Sequence, residues 1–403
     1  MPDQMGPWSL EILEQVAHPY PVEWLFPPAP AAPPRIVNLF AGPGGWCVGI
    51  RDALGFDVDM IGVELNRDAA ATAVAAGFRR IVADVTTLNP HHPALLHVVG
   101  LIFSAPCQPW TQAGKRAGHD QHNLQILLDM FVCAWEATIG VRQDQECTEE
   151  CPADCDDCYE GWSGPIYGLD EVRAMAKDMT DQRVALLAEV VIWGLALSAG
   201  SRDFRWIAME QSSSLPQAVI DGIREEFQCA DWLTVDFQVL DAADYGLASR
   251  RKRAFMLAAR HRYLDLAGTR PVTALPTTTA AQALNWPPDI KIRTRGNRVT
   301  AGGNDFPLDK PATAITGKIR AWYPVNDPNV RFTLDEAALL VGILPGYPWK
   351  GSRTAACQQI GDVVSPVVVP PVIGTLVGRP WEAPLRHYLS QAYGHPGPYA
   401  LAN

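Results

Sequence analysis

From Arg35 onward, short apolar runs alternate with segments of helical periodicity. Arg35–Phe40 (RIVNLF) predicts a buried strand, followed by a glycine-rich turn and a helix to about Leu54. Asp59–Val63 predicts a second strand and Arg67–Ala76 a second helix. Arg80–Ala83 and Val99–Phe103 predict the third and fourth strands, and Arg205–Met209, Trp232–Leu240 and Arg253–Ala259 three more. Strands that alternate with helices build βαβ units, so the pattern predicts an α/β fold, a mixed but mostly parallel sheet with helices on both faces. Ligands in such sheets sit beyond the carboxyl ends of strands, so the chemistry is expected there.

Two stretches break the rhythm. Residues 117–180 hold an apolar helix (Leu124–Thr138) and then an acidic, cysteine-rich run; residues 262–331 are rich in Pro, Gly, Thr and Arg with little helical period. Residues 1–34 form an extension with one short helix at Ser9–Val16 and a proline-rich linker from Phe26 to Pro34. The expected organisation is therefore 1–34, a main body over 35–261 with an insertion at about 117–180, a small domain over 262–331, and a return to the main body over 332–403.

Apolar residues make up 48% of the 403 and charged residues 19%, which supplies a large core and excludes wholesale disorder. No unbroken apolar run reaches the roughly 18–20 residues that span a bilayer, so no membrane partner is expected. Met1–Leu10 carries Asp3 and no cationic region, unlike a signal peptide. Nine scattered cysteines do not read as a secreted disulfide framework, and a cytoplasmic location is expected. The net charge of −11 at first argues against a polyanion partner, but its distribution changes that: residues 262–331 carry a net +5 and residues 141–181 a net −9. Binding follows the local field, so the basic segment permits a nucleic-acid partner.

The first strand runs into Phe40-Ala-Gly-Pro-Gly-Gly45, where Gly42, Gly44 and Gly45 allow a tight turn and close approach of a ligand to a helix start. The dinucleotide fingerprint is absent, since its third glycine position is Cys47. Glu64 follows the second strand, where a carboxylate accepts both hydroxyls of a ribose; Asp84 follows the third, where it accepts an exocyclic amine. Either carboxylate read alone is equally a helix N-cap, and the glycines alone a plain strand–helix turn. Together, after successive strands, they point to an adenosine-containing cofactor. The fourth strand leads into Ser104-Ala-Pro-Cys-Gln-Pro-Trp-Thr-Gln-Ala-Gly-Lys-Arg116. A lone cysteine is usually a small core residue, but Pro106, Gln108, Thr111 and Lys115 are not core flanks, so Cys107 is a candidate nucleophile.

At this point a resemblance emerges. Phe40–Gly45, Glu64, Asp84, Pro106-Cys107-Gln108, Glu210, Tyr245–Arg253 and Gln359–Pro366 stand in the order found in DNA (cytosine-5)-methyltransferases, and most of residues 35–378 resembles that family. The resemblance implies a Rossmann-like S-adenosylmethionine-dependent methyltransferase fold with a small target-recognition domain. It implies S-adenosyl-L-methionine as methyl donor, held by Phe40, Gly42, Gly44, Gly45, Glu64, Asp84 and Asp362. It further implies double-stranded DNA as partner, with the target cytosine flipped out of the helix. C5 of cytosine is a poor nucleophile, and addition of a thiolate to C6 makes C5 an enamine carbon; Cys107 is similar to the residue that does this. Glu210 matches the carboxyl group that bonds N3, and Arg251 and Arg253 the pair that holds the cytosine O2 and orders the Cys107 loop. The segment Thr111–Arg116 is expected to close over the base. No side chain stands out as the base for the C5 proton, which leaves water.

Three departures accompany the resemblance. Ala105 replaces a second proline, Ser249 a glutamine, and Gly361-Asp-Val-Val-Ser-Pro366 the usual Gly-Asn-Ala-Val-Pro-Pro. Asp362 and Ser365 are therefore expected to alter cofactor affinity or the group transferred. Cys147, Cys151, Cys155 and Cys158 suit a structural zinc by spacing; an iron–sulfur cluster and an acidic loop of reduced thiols are the alternatives. Lys291, Arg293, Arg295, Arg298, Lys318 and Arg320 are the candidate DNA-contacting residues, most of them for phosphate. The expected function is that of a stand-alone bacterial or phage-type DNA methyltransferase with no obligate protein partner. The alternatives are an RNA cytosine-5 methyltransferase, transfer of a non-methyl group from a modified cofactor, and a catalytically silent nucleic-acid-binding relative.

Overall fold

Arg35–Leu39 (β1) is buried along its whole length, as a central strand covered on both faces must be. In this computed structural model, which describes residues 24, 27–111, 116–139, 167–294 and 305–394, β1 pairs in parallel with β2 (Asp59–Val63). Beyond β2 lies β3 (Arg79–Ile81); on the other side of β1 come β4 (Val98–Phe103) and β5 (Trp206–Ser212), all parallel. The sheet ends with β6 (Thr234–Asp241) and β7 (Lys252–Ala259), β7 lying antiparallel between β5 and β6. The order is β3-β2-β1-β4-β5-β7-β6. The mostly parallel sheet expected from the periodicity is thus present, and every predicted strand forms with small shifts at its ends.

One shift matters. β5 runs to Ser212 rather than stopping at Met209, because Glu210, Gln211 and Ser212 pair with Phe255, Ala254 and Arg253 of β7. Glu210 is therefore a strand residue. It shares a sheet face with Arg253, two register positions away.

Alternate strand residues feed two cores. Ile36, Ile102, Trp206, Ala208, Phe255 and Leu257 point to one face; Val37, Leu101, Phe103, Ile207, Met209 and Met256 point to the other. The first face carries α1 (Gly45–Val48, prolonged by a π-turn to Ala53). On the flank, α2 (Arg67–Ala75) starts at Asn66, whose side chain accepts from the Ala69 amide. The second face is covered by α3 (Gln121–Thr138), α4 (Ala188–Gly200) and α5 (Gln217–Cys229). The chain then returns through α6 (Arg353–Asp362), α7 (Val369–Val377) and α8 (Glu382–Tyr393), the last two completing the first face.

Two helical stretches, Gln182–Gly200 and Arg353–Val377, are long and apolar enough to cross a membrane by length and composition. Their windows are 78% and 83% buried inside the protein, which is what core helices require. Within the segment read as a small domain, β8 (Lys291–Arg293), β9 (Asp305–Pro307) and β10 (Tyr323–Pro324) form an antiparallel sheet in the order β10-β8-β9. Ile292, Leu308, Ile315, Ile319 and Trp322 join the core of the first face rather than enclosing one of their own.

The predicted helix at Ser9–Val16, the four cysteines of the insertion, and Arg295 and Arg298 lie outside the described residues. Among the described residues no group of His, Cys, Asp and Glu is placed to hold a metal ion.

Candidate active site

The connections from β1 and β4 leave in opposite directions along the sheet, so a crevice opens at their carboxyl ends. A cavity of about 610 Å³ fills it, large enough for a nucleoside-sized ligand. At one end it is lined by Phe40, Gly42, Gly45, Glu64 and Asp84, and at the other by Cys107, Glu210, Arg251, Arg253 and Asp362. Successive strands lie about 4.8 Å apart, so the ends of β3 and β4 are separated by three spacings, about 14 Å. Asp84 and Cys107, which follow those strands, mark opposite ends of one elongated site.

The cofactor-side turn is built by backbone conformation. Phe40 is left-handed at φ 57°, an uncommon state for a bulky residue, and its ring meets Phe103 edge-on at 5.2 Å. Gly44 has φ 113°. Gly45 is required by close approach: a Cβ there would lie 2.1 Å from the Val364 carbonyl oxygen, so the segment after α6 packs directly on the loop. The Glu64 carboxylate accepts from the Gly42 amide through Oε2 and from the Asn66 amide through Oε1, both at 2.7 Å. Burial raises its pKa, while those amides and the Arg80 guanidinium oppose the shift. Asp84 Oδ1 caps a short 3-10 turn by accepting from the Thr86 amide and hydroxyl, and Oδ2 carries no bond among the described residues. Asp84 thus does the capping work that a plain fold would give it, whereas Glu64 caps no helix and ties the two turns together, and both still line the cavity.

Arg80 was not among the sequence candidates. It is fully buried, and its Nε and Nη2 lie 3.4 Å from the Gly42 carbonyl, behind the turn. Its one sequence signal is a charged residue inside a short strand of a doubly covered sheet.

The Cys107 loop is anchored from below. Trp110, buried and packed against Gly118, donates its amide to the Cys107 carbonyl; Gln211 bonds the Ala105 carbonyl and Ser214 the Trp110 carbonyl. Trp46 on α1 donates to the Ser104 hydroxyl at 2.8 Å, joining the two turns across the crevice. Burial pushes the Cys107 thiol up from its ordinary value, and the Glu210 charge adds to this; Arg253 and Arg251 pull the other way. At rest the thiol therefore keeps its proton. Gln112–Lys115 lie outside the described residues.

Arg253 Nε lies 3.0 Å from Glu210 Oε1 in an ion pair. The N–H is not aimed at that oxygen, so Nε remains a buried donor without a hydrogen-bond partner. Arg251 is also buried: its Nη1 donates to Gly361 O at 2.9 Å and to Ile315 O at 3.5 Å, and its Nε has no partner. Both guanidinium side chains thus line the cavity while each keeps one buried Nε without a hydrogen-bond partner. Burial and the neighbouring Arg253 charge lower the Arg251 pKa to about 10, so it remains cationic at neutral pH.

Of the departures, Ser249 donates its buried hydroxyl to Leu340 O at 2.6 Å, and Ser365 donates to Val341 O at 2.8 Å. The expectation that Ser365 tunes the cofactor fails on this geometry, because its hydroxyl is engaged away from the cavity. Asp362 does line the cavity. Among the basic residues, Arg293 has both arms of its guanidinium on Asp305, at 3.1 and 2.8 Å, whereas Lys291 and Lys318 are exposed.

Residues 34–133 match the family model described as C-5 cytosine-specific DNA methylase. No curated protein matches the sequence. Solved structures with the same fold include a DNA modification methyltransferase, so titled as a putative one, encoded within an E. coli prophage (16% identity, TM-score 0.50, 86% of this chain and 99% of that one). They also include the methyltransferase EhMeth of Entamoeba histolytica (13%, 0.52, 86% and 98%) and the Dnmt2 methyltransferase of S. pombe (14%, 0.55, 85% and 98%). The fold is that of the S-adenosylmethionine-dependent methyltransferases, and residues 34–133, about a quarter of the chain, are similar to the C-5 cytosine-specific DNA methylase family.

Proposed function

We propose that the protein methylates C5 of a flipped-out cytosine in DNA, with S-adenosylmethionine as donor. The observation that carries this reading is the convergence of Cys107, Glu210, Arg251 and Arg253 on one end of a cavity whose other end holds the glycine turn, Glu64 and Asp84. The residues present fit the cofactor: the cavity is elongated, Gly42 and Gly45 let a ligand lie on backbone, and Asp84 keeps a free oxygen. Bound there, the cofactor supplies an electrophilic methyl group. This chain's residues do the rest. The base enters extruded from its stack, at a cost of a few kcal/mol, because its C6 face is closed within a duplex. Arg253 and Arg251, which line the cavity, offer guanidinium donors to its carbonyl oxygen, and Glu210 bonds its N3 edge. Polarised in this way, the ring accepts the Cys107 sulfur at C6, and C5 becomes nucleophilic. Loss of the thiol proton accompanies base binding, since the free thiol is held protonated.

The test is incubation with S-adenosylmethionine and unmethylated DNA, followed by mass spectrometry of the digested nucleosides. The expected product is 5-methylcytosine, absent with Cys107→Ala. Product on RNA and none on DNA would reassign the substrate. A heavier adduct with cell-derived cofactor would reassign the group transferred, and nucleic-acid binding without turnover would leave a silent relative.

A further inference from the structure

The carboxylates lining the cavity are Glu64, Asp84, Glu210 and Asp362. Glu64 is engaged by two backbone amides, Asp84 lies about three strand spacings from the Cys107 strand, and Glu210 faces Arg253 at 3.0 Å. Asp362 remains. It is the last residue of α6, and its Oδ2 accepts from Gln358 Nε2 at 2.7 Å one turn earlier, which fixes the side chain and leaves Oδ1 without a bond among the described residues. The backbone on either side is pinned: Arg251 bonds the Gly361 carbonyl, and Val364 lies against Gly45. Because Arg251 bonds the carbonyl of the preceding Gly361 and both Arg251 and Asp362 line the cavity with Cys107, Asp362 stands at the thiol end of the site.

We infer that Asp362 Oδ1 is the acceptor for the proton that leaves C5 after methyl transfer, a step for which the sequence offers no other side chain. The inference rests on the cytosine-5 reading above. In the step, the C5–H bond breaks and its proton passes to the Asp362 carboxylate. The electron pair forms the C5–C6 double bond, and the C6–S bond breaks with its pair returning to Cys107 as thiolate. Nothing is oxidised or reduced, and the acid form of Asp362 is restored to carboxylate by water. Asp362 is exposed where it lines the cavity, and desolvation by the protein beside it still holds its pKa above the ordinary value, which makes it a stronger base than a free carboxylate.

Two substrates separate this step from those before it. A duplex carrying 5-fluorocytosine stops at the covalent adduct, because fluorine does not leave as a cation; it reports base entry, Cys107 addition and methyl transfer. A duplex carrying cytosine tritiated at C5 reports proton removal, both with the donor and, by exchange with solvent, without it. With S-adenosylmethionine saturating, so that any change in its affinity drops out, Asp362→Asn and Asp362→Ala are expected to form the fluorocytosine adduct within about twofold of the wild-type rate, yet to release tritium at least about tenfold more slowly, the lower range for a general base. Asp362→Glu is expected to recover part of the loss. Equal tritium release in all variants would overturn the inference, and so would adduct formation and release falling in parallel, since Asp362 would then act earlier. If the wild-type protein forms no fluorocytosine adduct, the cytosine-5 reading itself fails, a result distinct from either.

Discussion

Glu64→Gln is the sharpest test of the cofactor end. The wild-type carboxylate accepts from Gly42 N through one oxygen and from Asn66 N through the other, each at 2.7 Å. Glutamine keeps the shape but has a single acceptor, so whichever way its amide is placed, a donor faces a donor. A hydrogen bond to a charged group contributes about 1.5–3 kcal/mol, and part of the loss is offset because burial already disfavours the charged form. A net loss of about 1–2 kcal/mol at the turn weakens S-adenosylmethionine binding roughly 5- to 30-fold, at about 1.4 kcal/mol per tenfold. Isothermal titration calorimetry reads this directly, with a thermal melt to show that the variant is folded. The pH dependence gives an independent check. Because the folded-state pKa of Glu64 is raised, acidification protonates it earlier than a free glutamate, whose value is about 4.3. Wild-type affinity should therefore fall on acidification from above that value, and the variant should lack this limb. Affinity within twofold of wild type, or the same acid limb in both proteins, would refute the argument.

Gly45→Ala places a methyl group 2.1 Å from the Val364 carbonyl, so it should displace the segment after α6 and lower both stability and cofactor affinity, read by thermal melting and calorimetry. Alkylation of Cys107 by iodoacetamide, followed by peptide mass spectrometry, should rise about tenfold per pH unit and still be climbing at pH 8.5, the ordinary thiol value; a plateau near pH 7 would mean that the arginines outweigh burial. Lys318→Ala should reduce the salt dependence of nucleic-acid binding by about one unit of slope, whereas Arg293→Ala should change it less, because Asp305 already occupies that guanidinium.

The five parallel strands were legible because buried parallel strands write themselves as short apolar runs, and the glycine turn and Cys107 because each follows such a run. What a single sequence hides is pairing. Glu210 was placed after its strand because nothing in Arg205–Met209 tells that β7 will extend β5 by antiparallel contact. The orphan donors on Arg251 and Arg253, the engagement of Ser249 and Ser365 with Leu340 and Val341, and the neutralisation of Arg293 all depend on residues far away in the chain. Arg80 escaped for the converse reason: its neighbour Gly62 has to be a glycine to make room for it. A Cβ at Gly62 would lie 2.8 Å from its guanidinium, a demand invisible until both are placed.

The same long-range contacts explain why the site needs the end of the chain. The cofactor turn and the thiol loop come from β1 and β4, but neither closes the crevice. α6 does so by two close approaches that only glycine permits: Gly45 beneath Val364, and Gly361 against Gly317, where a Cβ would lie 2.2 Å from the Gly317 amide nitrogen. Arg251 then holds three parts at once, standing one residue before β7 and donating to Gly361 near the end of α6 and to Ile315 beside the small sheet. A guanidinium in that position couples the segment that contains the candidate nucleic-acid contacts to the wall that carries Asp362. Movement of the small sheet on substrate binding would therefore be felt at the thiol end of the cavity before it is felt at Glu64 or Asp84, which are tied to β1–β3 through short local bonds of their own.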